Sequence, residues 1–333
     1  MNPCSAPQLA VIIPNWNGCR FLRTCLGALR LQSYRPFQTW LVDNGSEDES
    51  LALVQKEFPE VTILPLAQNY GFSTAINQGI MATATPFVAL LNNDTEADPH
   101  WLETAVRAFD THPEADYIAS RIMNFHQRRL LDSAGDYLTR TGLPLKRGAD
   151  QPAEGQWLRE RWVMGASAGA AIYRRSAFLR TGIFDPGYFL YLEDVDWCLR
   201  SALLGLRCLY VPEAVVYHIE GGSDPLRQSF LDRGESTRRA FHTPQRTYWI
   251  TRNRIRLLCK NYPAALFFLY SPLIFYGFAR SALFHLFRRG LFWPFARGLI
   301  RGLVEIPQCL SARREIQGRR TVSIRNLQKI LFQ

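Results

Sequence analysis

Short apolar runs that end abruptly in polar residues recur through the first hundred positions of the chain. Runs of this length, bounded by Gly, Asn, Asp and Ser, are typical of buried strands; they are Leu9 to Pro14, Thr39 to Val42, Val61 to Leu64 and Pro86 to Leu91. The segments between them place apolar residues at helical spacing and are Phe21 to Leu31, Ser50 to Phe58 and Ser73 to Met81. This alternation predicts an α/β fold with a Rossmann-like sheet flanked by helices.

Three of these strands are followed at once by polar side chains, at Asn15 to Asn17, Asp43 to Ser46 and Asn92 to Glu96. Each segment taken alone is typical of a turn, because Asn, Asp, Gly and Ser favour turns. Open parallel sheets, however, bind ligands outside the carboxyl ends of their strands, and a hard cation that holds a diphosphate there needs oxygen ligands. The three segments together favour a functional edge of the sheet over three unrelated turns.

A further acidic cluster, Glu193, Asp194 and Asp196, opens a predicted helix later in the chain. Carboxylates are favourable at a helix N-terminus by about 0.3–1 kcal/mol each, but this effect leaves the crowding of like charge unexplained. One of them can remove a proton from a hydroxyl as a general base, and we favour Asp194 for that role. Glu193 is the second catalytic candidate and Asp196 a helix cap or acceptor-side residue, although the spacing does not separate the three.

A run of small residues and one histidine complete the candidate site. Gly165 and Ala166 begin a stretch of Gly, Ala and Ser that either floors a pocket on the acceptor side or packs tightly as a strand. His218 ends a short apolar strand and is either structural or a nitrogen ligand to the same metal as Asp94. Residues 121–160 show little periodicity and are interpreted as an irregular insert or a hairpin.

Charge is distributed unevenly along the 333 residues. The formal net charge is +10 and the isoelectric point near 9.5, and the basic excess lies mainly after residue 225, where Arg alternates with Phe, Leu and Trp. That mixture is typical of a membrane surface and argues against nucleic acid as the partner. Seven scattered cysteines and an N-terminus without a secretion signal predict reduced thiols and a location on the cytoplasmic face of the inner membrane.

The C-terminal third is predicted to associate with a membrane through helices. Ala264 to Phe287 is apolar, but only Ala264 to Ala279 lacks charge, which falls short of the about 20 residues of a spanning helix. We therefore expect an in-plane or re-entrant anchor, followed by an amphipathic helix over Gly290 to Leu303 and a loosely held basic tail after Ser311. The alternative is a packed helical hairpin or a homo-oligomer interface. The expected segments are a catalytic domain (1–225), a basic connector (226–262) and membrane-associating helices (263–333).

In their order along the chain, these segments resemble the family 2 inverting glycosyltransferases of the GT-A fold, especially the rhamnosyltransferase-like branch that builds bacterial surface polysaccharides. The matching segments are Val11 to Gly18, Val42 to Asp48, Asn69 to Gly79, Leu90 to Thr95, Glu193 to Arg200 and His218 to Ser223. The resemblance implies that Pro14, Trp16 and Asp43 contact the base and ribose of a nucleotide sugar, and that Asp94 binds Mg²⁺ or Mn²⁺. The other implied nucleotide-sugar residues are Asn15, Asn17, Asn69, Gly71, Asn77, Asn92 and Asn93.

The same resemblance implies a single displacement in which Asp194 deprotonates an acceptor hydroxyl and the anomeric configuration inverts. Asn92 stands where the family usually has the first Asp of an Asp-x-Asp motif, which predicts weaker metal binding and a larger contribution from His218. The implied donor is dTDP-rhamnose and the implied acceptor a polyprenyl-diphosphate-linked saccharide. The alternatives are the same fold with a UDP-hexose or UDP-N-acetylhexosamine donor, and a non-catalytic sugar-nucleotide- or polysaccharide-binding scaffold.

Overall fold

The computed structural model describes residues 7–219 and 242–332. The predicted connector residues 226–241 and the glycine pair Gly221 and Gly222 lie outside these ranges. The six cysteines within the described residues are free thiols.

The first half of the sheet is parallel, as the sequence predicted. Its strands are β1 (Leu9–Asn15), β2 (Phe37–Asp43), β3 (Thr62–Pro65) and β4 (Phe87–Leu91), and its helices are α1 (Cys19–Arg30), α2 (Ser50–Glu57) and α3 (Phe72–Ala82). The spatial order is β3, β2, β1, β4. Because β1 pairs with β2 in a register that sets Asn15 opposite Asp43, the polar ends of these strands meet at one edge of the sheet.

The second half makes the sheet mixed. Its elements are β5 (Thr95–Ala97), α4 (Trp101–Thr111), β6 (Tyr117–Asn124), β7 (Leu131–Ser133), β8 (Asp136–Leu138), β9 (Pro144–Lys146), β10 (Arg161–Val163), β11 (Ala170–Arg174), α5 (Arg175–Thr181), α6 (Glu193–Leu203) and β12 (Cys208–His218). Strand β11 runs antiparallel to both β4 and β6, whereas β12 runs parallel to β6. The β8–β9 hairpin, within the insert that showed no periodicity, forms a separate two-stranded sheet.

Two apolar layers cover the two faces of the main sheet. Alternate residues of β1 divide between them: Val11 and Ile13 pack with the buried faces of α1, α2 and α4, and Ile12 packs with α3, α5 and α6. Side chains alternate between faces along a strand, so a strand buried on both faces has a continuous apolar sequence. This explains why the strands appear in the sequence as uninterrupted apolar runs.

Within residues 242–332, five helices follow the sheet: α7 (Pro244–Asn261), α8 (Ala264–Leu286), α9 (Phe292–Val304), α10 (Ile306–Gly318) and α11 (Ile324–Leu331). A third apolar core joins α6 to α7, α8 and α11, with Leu199, Leu257, Leu266 and Leu327 among its buried residues. The prediction of a loosely held tail after Ser311 is wrong, because Leu327 and Leu331 of α11 are completely buried. The division of the chain into three segments stays a prediction.

Helix α8 is longer than its uncharged stretch suggested. It continues through Pro272 and past Arg280 to Leu286, and among the described residues it is the one helix whose length and composition would let it cross a membrane. The expectation that this segment is too short to span a membrane was therefore wrong, because the helix is 23 residues long. Ile274 and Gly277, at the middle of the helix, are nevertheless buried, because this part of α8 packs along the protein.

A buried ion-pair cluster ties α7 to α6. The carboxylate of Asp196, which has no solvent exposure, lies 2.9 Å from Arg200 Nε, 2.8 Å from Lys260 Nζ and 2.7 Å from Asn261 Nδ2. Burial alone would raise the pKa of Asp196, but the cations of Lys260 and Arg200 hold it well below its usual range. Asp185, at the turn before α6, pairs with Lys260 as well, so one lysine fixes both ends of the segment from Asp185 to Asp196.

Replacement of Asp196 by alanine is expected to lower the free energy of unfolding by about 3–5 kcal/mol, because Lys260 would keep a buried charge without this partner. Thermal and urea unfolding of the variant measure the change. Asp110→Ala, at an exposed position of α4, is the control and should stay within about 0.5 kcal/mol of the parent. Equal stability of the two variants would contradict the assignment, and partial recovery in Asp196→Ala/Lys260→Met would support it.

Candidate active site

A large cavity of about 1300 Å³ opens at the carboxyl ends of the parallel strands. One side is formed by the ends of β1, β2 and β4, which contribute Pro14 to Trp16, Asn44 and Asn92 to Asp94. The opposite side is formed by α7, α8 and α9. Drug-sized ligands occupy pockets of about 300–1,000 Å³, so this cavity has room for two substrates side by side.

Hydrogen bonds between the strand ends build the first wall. Asn15 donates to Asp43 Oδ1 at 3.0 Å and accepts from Asn93 Nδ2 at 2.7 Å. Gly18 is required beside them, because a Cβ at this position would overlap the side chains of Asn15 and Asn93. Pro14, Trp16 and Asn15 line the cavity as predicted, whereas the buried carboxylate of Asp43 lies behind Asn15 and also accepts from Ser46.

Asn17 does not line the cavity. It is exposed, and its Oδ1 accepts from the backbone N–H of Glu47 at 2.8 Å. Asn17 therefore joins the loops after β1 and β2, and its position does not support a direct contact with the nucleotide.

The segment before α3 supplies Asn69 and Gly71 to the same wall. Asn44 Nδ2 donates to Asn69 Oδ1 at 3.0 Å, which fixes this segment against the end of β2. Asn77, predicted to line the pocket with them, is instead buried on α3 and exchanges two hydrogen bonds with the backbone of Phe184. Its amide satisfies a backbone turn and does not face the cavity.

Asp94 and His218 meet because their strands pair. Strand β12 runs antiparallel to β5 with His218 opposite Thr95, which brings His218 Nε2 to 3.3 Å from Asp94 Oδ1. The other ring nitrogen, Nδ1, lies 2.9 Å from Asp132 Oδ2. Burial alone would lower the pKa of His218, but the carboxylates of Asp94 and Asp132 raise it to about 10.

The chemistry of this pair fits a divalent cation. A cation bound by Asp94 and His218 would take the place of the proton on Nε2 of His218. Nδ1 donates to Asp132 and fixes the ring, as the second nitrogen of a metal-ligating histidine usually does. Within residues 7–219 and 242–332 there is no cluster of three or more His, Cys, Asp or Glu that would hold a metal on their own. Mg²⁺ in transferase sites is commonly bound by one or two carboxylates together with the phosphates of the substrate, and two protein ligands suffice for such a site.

The insert after β6, which the sequence left unassigned, brings four charged residues to the cavity: Asp132, Asp136, Lys146 and Asp150. Lys146 Nζ lies 2.6 Å from Asp132 Oδ1. Burial raises the pKa of Asp136 well above its usual value, and the charge of Asp194 raises it further. The charged residues of this hairpin were visible in the sequence, but the short strands β7, β8 and β9 carry too little periodicity to predict their position.

The first turn of α6 places Asp194 and Glu193 at the cavity. Asp194 accepts from the backbone N–H of Val195 at 2.8 Å and of Ala168 at 3.2 Å, so the small-residue segment before β11 fixes its carboxylate. Burial raises the pKa of Asp194 even so. In Glu193, burial and the charge of Asp194 raise the pKa well above the usual value.

The structure corrects the predicted acceptor-side residues. Gly165 packs against the side chain of Cys198, and Ala166 is completely buried. Ser167, Ala168 and Gly169 line the cavity in their place. Asp196 also points away from the cavity into the ion-pair cluster with Lys260, so the prediction of an acceptor contact there is not supported.

A strained loop precedes the acidic helix, and α7 holds it. Phe189, Tyr191 and Leu192 have positive φ angles of 49°, 67° and 67°, in the region that is unfavourable for residues other than glycine. The buried Asn253 places its Nδ2 3.1, 2.9 and 2.8 Å from the carbonyl oxygens of Tyr188, Leu190 and Tyr191. These three contacts compensate the strain and fix the entry to α6 two residues before Asp194.

Two further contacts complete the loop's surroundings. Arg252 Nη1 donates to the carbonyl of Gly187 at 2.7 Å and to Asn253 Oδ1 at 2.8 Å. On the other side, the backbone N–H of Phe72 donates to the carbonyl of Phe189 at 2.6 Å. Gly71 permits this approach, because it has a φ of 89° and a Cβ there would overlap the backbone of Phe189. The loop therefore links α7 to the donor-side wall.

Residues 10–182, slightly more than half of the chain, match the family described as glycosyl transferase family 2. The chain belongs to glycosyl transferase family 2. This glycosyltransferase is 28% identical over 246 residues to the N-acetylglucosaminyl-diphospho-decaprenol L-rhamnosyltransferase of Mycobacterium tuberculosis, a match that covers 65% of this chain and 78% of the relative. The predicted rhamnosyltransferase-like branch is thereby confirmed.

Solved structures confirm the fold of this glycosyltransferase. GalNAc-T7 with UDP, GalNAc and Mn²⁺ aligns with a TM-score of 0.62 at 14% identity, over 92% of this chain and 57% of that one. TarS 1-349 of S. aureus in complex with UDP-GlcNAc aligns with a TM-score of 0.56 at 16% identity, over 93% and 90% of the two chains. At these identities the likeness concerns the fold alone, and the predicted GT-A sheet is confirmed.

The contacts of Asn253 predict a catalytic defect without loss of donor affinity. Asn253→Asp replaces the donating amide with a carboxylate that repels the three loop carbonyls, so we expect kcat to fall at least about tenfold. The KM for the nucleotide sugar should change little, because Asn253 contacts the carbonyls of Tyr188, Leu190 and Tyr191 and none of the strand ends that line the donor side. Steady-state kinetics over donor concentration separate the two constants.

Asn326→Asp on α11, an exposed position, is the matched control for the added charge. A parallel rise in donor KM, or a fall in kcat that the control shares, would contradict the positioning role of Asn253. Melting temperatures of both variants distinguish a local effect from general unfolding.

Proposed function

We propose that this glycosyltransferase moves rhamnose from dTDP-rhamnose to a hydroxyl of a saccharide carried on a polyprenyl diphosphate. The observation that carries the proposal is one cavity lined by the Asp94–His218 pair, by the strand ends Pro14 to Trp16 and by the partly buried Asp194. The similarity to a rhamnosyltransferase whose name includes a decaprenol-linked N-acetylglucosamine supports this choice of donor and acceptor.

The reaction is a single displacement at the anomeric carbon. Asp194 accepts the proton of the acceptor hydroxyl, whose oxygen forms the new bond as the bond from the anomeric carbon to the diphosphate oxygen breaks. The nucleoside diphosphate leaves with the bonding electrons, and the anomeric configuration inverts. Glu193, whose pKa is raised by burial and by the charge of Asp194, is placed beside Asp194 and would contact the acceptor.

The donor diphosphate lies against Asp94 and His218 in this proposal. A divalent cation held there, Mg²⁺ or Mn²⁺, would supply electrostatic stabilisation of the leaving group. Asn92 adds a neutral amide beside this pair, and Lys146 adds a positive charge within the same cavity. Asp132, which accepts from His218 Nδ1, keeps the imidazole in its orientation.

We place the enzyme at the cytoplasmic face of the membrane, with α8 and α9 in the plane of the interface. Phe268, Phe275 and Trp293 expose 75%, 66% and 73% of their surfaces, and apolar side chains so exposed favour burial among lipid chains. Because Ile274 and Gly277 pack against the rest of the protein, the helix lies along the protein surface. This arrangement supports access to an acceptor that is itself in the membrane.

A donor panel tests the proposal. The whole chain in detergent is incubated with a polyprenyl-diphosphate-linked N-acetylglucosamine acceptor and with dTDP-rhamnose, UDP-glucose, UDP-galactose or UDP-N-acetylglucosamine, with and without Mg²⁺ or Mn²⁺. We expect metal-dependent transfer from dTDP-rhamnose. Asp194→Asn should reduce kcat at least about 10²-fold, the range of a lost general base, and Asp94→Asn should raise the metal concentration required.

The alternatives give different results in the same assay. Turnover of a UDP sugar alone would replace the donor and keep the mechanism. Full transfer activity in both the Asp94→Asn and Asp194→Asn variants would overturn the assigned roles, and nucleotide binding without turnover of any donor would favour the scaffold.

The raised pKa of Asp194 predicts the pH profile. The base must be unprotonated, so activity should fall as the pH drops through the pKa of Asp194. Because burial raises that pKa, the fall should begin above the range of an ordinary aspartate, whose pKa is about 3.9. kcat/KM measured against pH checks this. The Asp194→Glu variant should still lose activity at low pH. A kcat/KM that stays constant down to the pH range of an ordinary aspartate would contradict the role of Asp194 as the base.

A further inference from the structure

The cavity wall is divided by charge. Within residues 7–219 and 242–332, the lining carboxylates all come before residue 200; they are Asp94, Asp132, Asp136, Asp150, Glu193 and Asp194. The lining residues from 242 onward, on the side of α7, α8 and α9, are neutral or basic, and the arginines among them are Arg246, Arg254, Arg280 and Arg288. The acidic side holds the proposed base and cation site, so the basic side is suited to an anion other than the donor diphosphate.

Arg280 and Arg288 differ from Arg254 in the contacts that their side chains make. Arg254 donates to the backbone carbonyls of Thr141 and Gly142 and stacks on Phe278 at 4.1 Å, so its contacts are structural. Arg280 and Arg288 are exposed, and within residues 7–219 and 242–332 no carboxylate forms an ion pair with either. Arg288 stacks on Phe284 at 4.4 Å, which restricts its guanidinium to the cavity side of the helix.

The local potential at this corner is positive. Burial lowers the pKa of His242 to about 4, and the nearby charges of Arg288, His285 and Arg246 contribute to the decrease. The ring of His242 lies 5.0 Å from that of Phe284 and 6.5 Å from that of His285. Arg246, His285 and Arg288 therefore lie near His242, and an anion bound there would offset the positive charge of the two arginines.

Apolar and basic side chains lie together at the end of α8. Arg280, Leu283 and Phe284 have the i, i+3, i+4 spacing of one helical face, and Phe287 and Arg288 follow directly after Leu286, the last residue of α8. Leu283 and Phe287 expose 57% and 80% of their surfaces. A ligand that matches this face has an anionic group joined to a hydrocarbon chain.

We propose that Arg280 and Arg288 bind the diphosphate of the lipid-linked acceptor, with the first part of its hydrocarbon chain against Leu283 and Phe287. The inference rests on the proposed function and assigns the acceptor to the helical side of the cavity. A saccharide attached to this diphosphate extends into the cavity toward Asp194, while the donor occupies the strand ends. The two diphosphates are thereby bound by different groups.

Kinetics with two acceptors test the site. Arg280→Gln and Arg288→Gln are each expected to raise the KM for polyprenyl-diphosphate-linked N-acetylglucosamine about tenfold, and the double variant more, because each loses a charge-assisted contact. The KM for the nucleotide sugar should not change. With octyl N-acetylglucosaminide, an acceptor without phosphate, the variants should equal the parent. Arg289→Gln is the matched control, since Arg289 is exposed but does not line the cavity.

Binding without a donor separates this inference from the proposed reaction. The whole chain is titrated with phosphatidylcholine vesicles that carry the polyprenyl-diphosphate saccharide, and separately with phosphatidylglycerol vesicles that do not. Arginine-dependent binding of the first kind alone supports the site, even if no donor in the panel is turned over. If the variants lose equal binding to both kinds of vesicle and keep the acceptor KM of the parent, the arginines bind anionic lipid in general and the inference is overturned. A rise in the KM for the donor equal to that for the acceptor would also overturn it.

Discussion

The structure depends on the burial of polar and charged groups between α7 and the segment from Asp185 to Asp196. Lys260 and Asn261 pair with the carboxylate of Asp196, and Asn253 bonds the loop carbonyls before it. A buried charge is tolerated only when it is paired and hydrogen-bonded. The helix and the loop therefore require each other, and the position of Asp194 follows from both.

This constraint explains why the C-terminal helices cannot be regarded as a simple anchor. Helix α7 contributes to the site through the loop that it holds, α11 closes the core behind α6, and α8 forms a cavity wall. A glycosyltransferase that places its acceptor-side wall on helices with exposed apolar faces couples catalysis to the surface where a lipid-linked acceptor would be found. In the proposed function, the donor binds at the strand ends beside Asp94 and His218, and the diphosphate of the acceptor binds at Arg280 and Arg288 on the helical wall.

Prediction from the sequence succeeded where the signal was local. The apolar runs of β1, β2 and β4 predicted strands, and parallel pairing of buried strands brings their polar ends to one edge. It failed for Asn77 and Asp196, whose buried side chains bond the backbone of Phe184 and Lys260, and for Gly165, which packs against Cys198. It also did not identify Lys146 and Asn253. Lys146 lies on β9, which is only three residues long, and the role of the Asn253 amide depends on carbonyl groups that are distant in the sequence.

The sequence by itself determined the α/β class, the edge of the sheet that carries the site, the family, and Asp94, His218 and Asp194 as candidates, because periodicity and strand ends are properties of neighbouring residues. Only the tertiary structure decided that His218 lies between Asp94 and Asp132, that Asn253 holds the strained loop, and that Arg280 and Arg288 face the same cavity. These relations join residues far apart in the chain, and their energies come from burial and charge pairing, which no local pattern records.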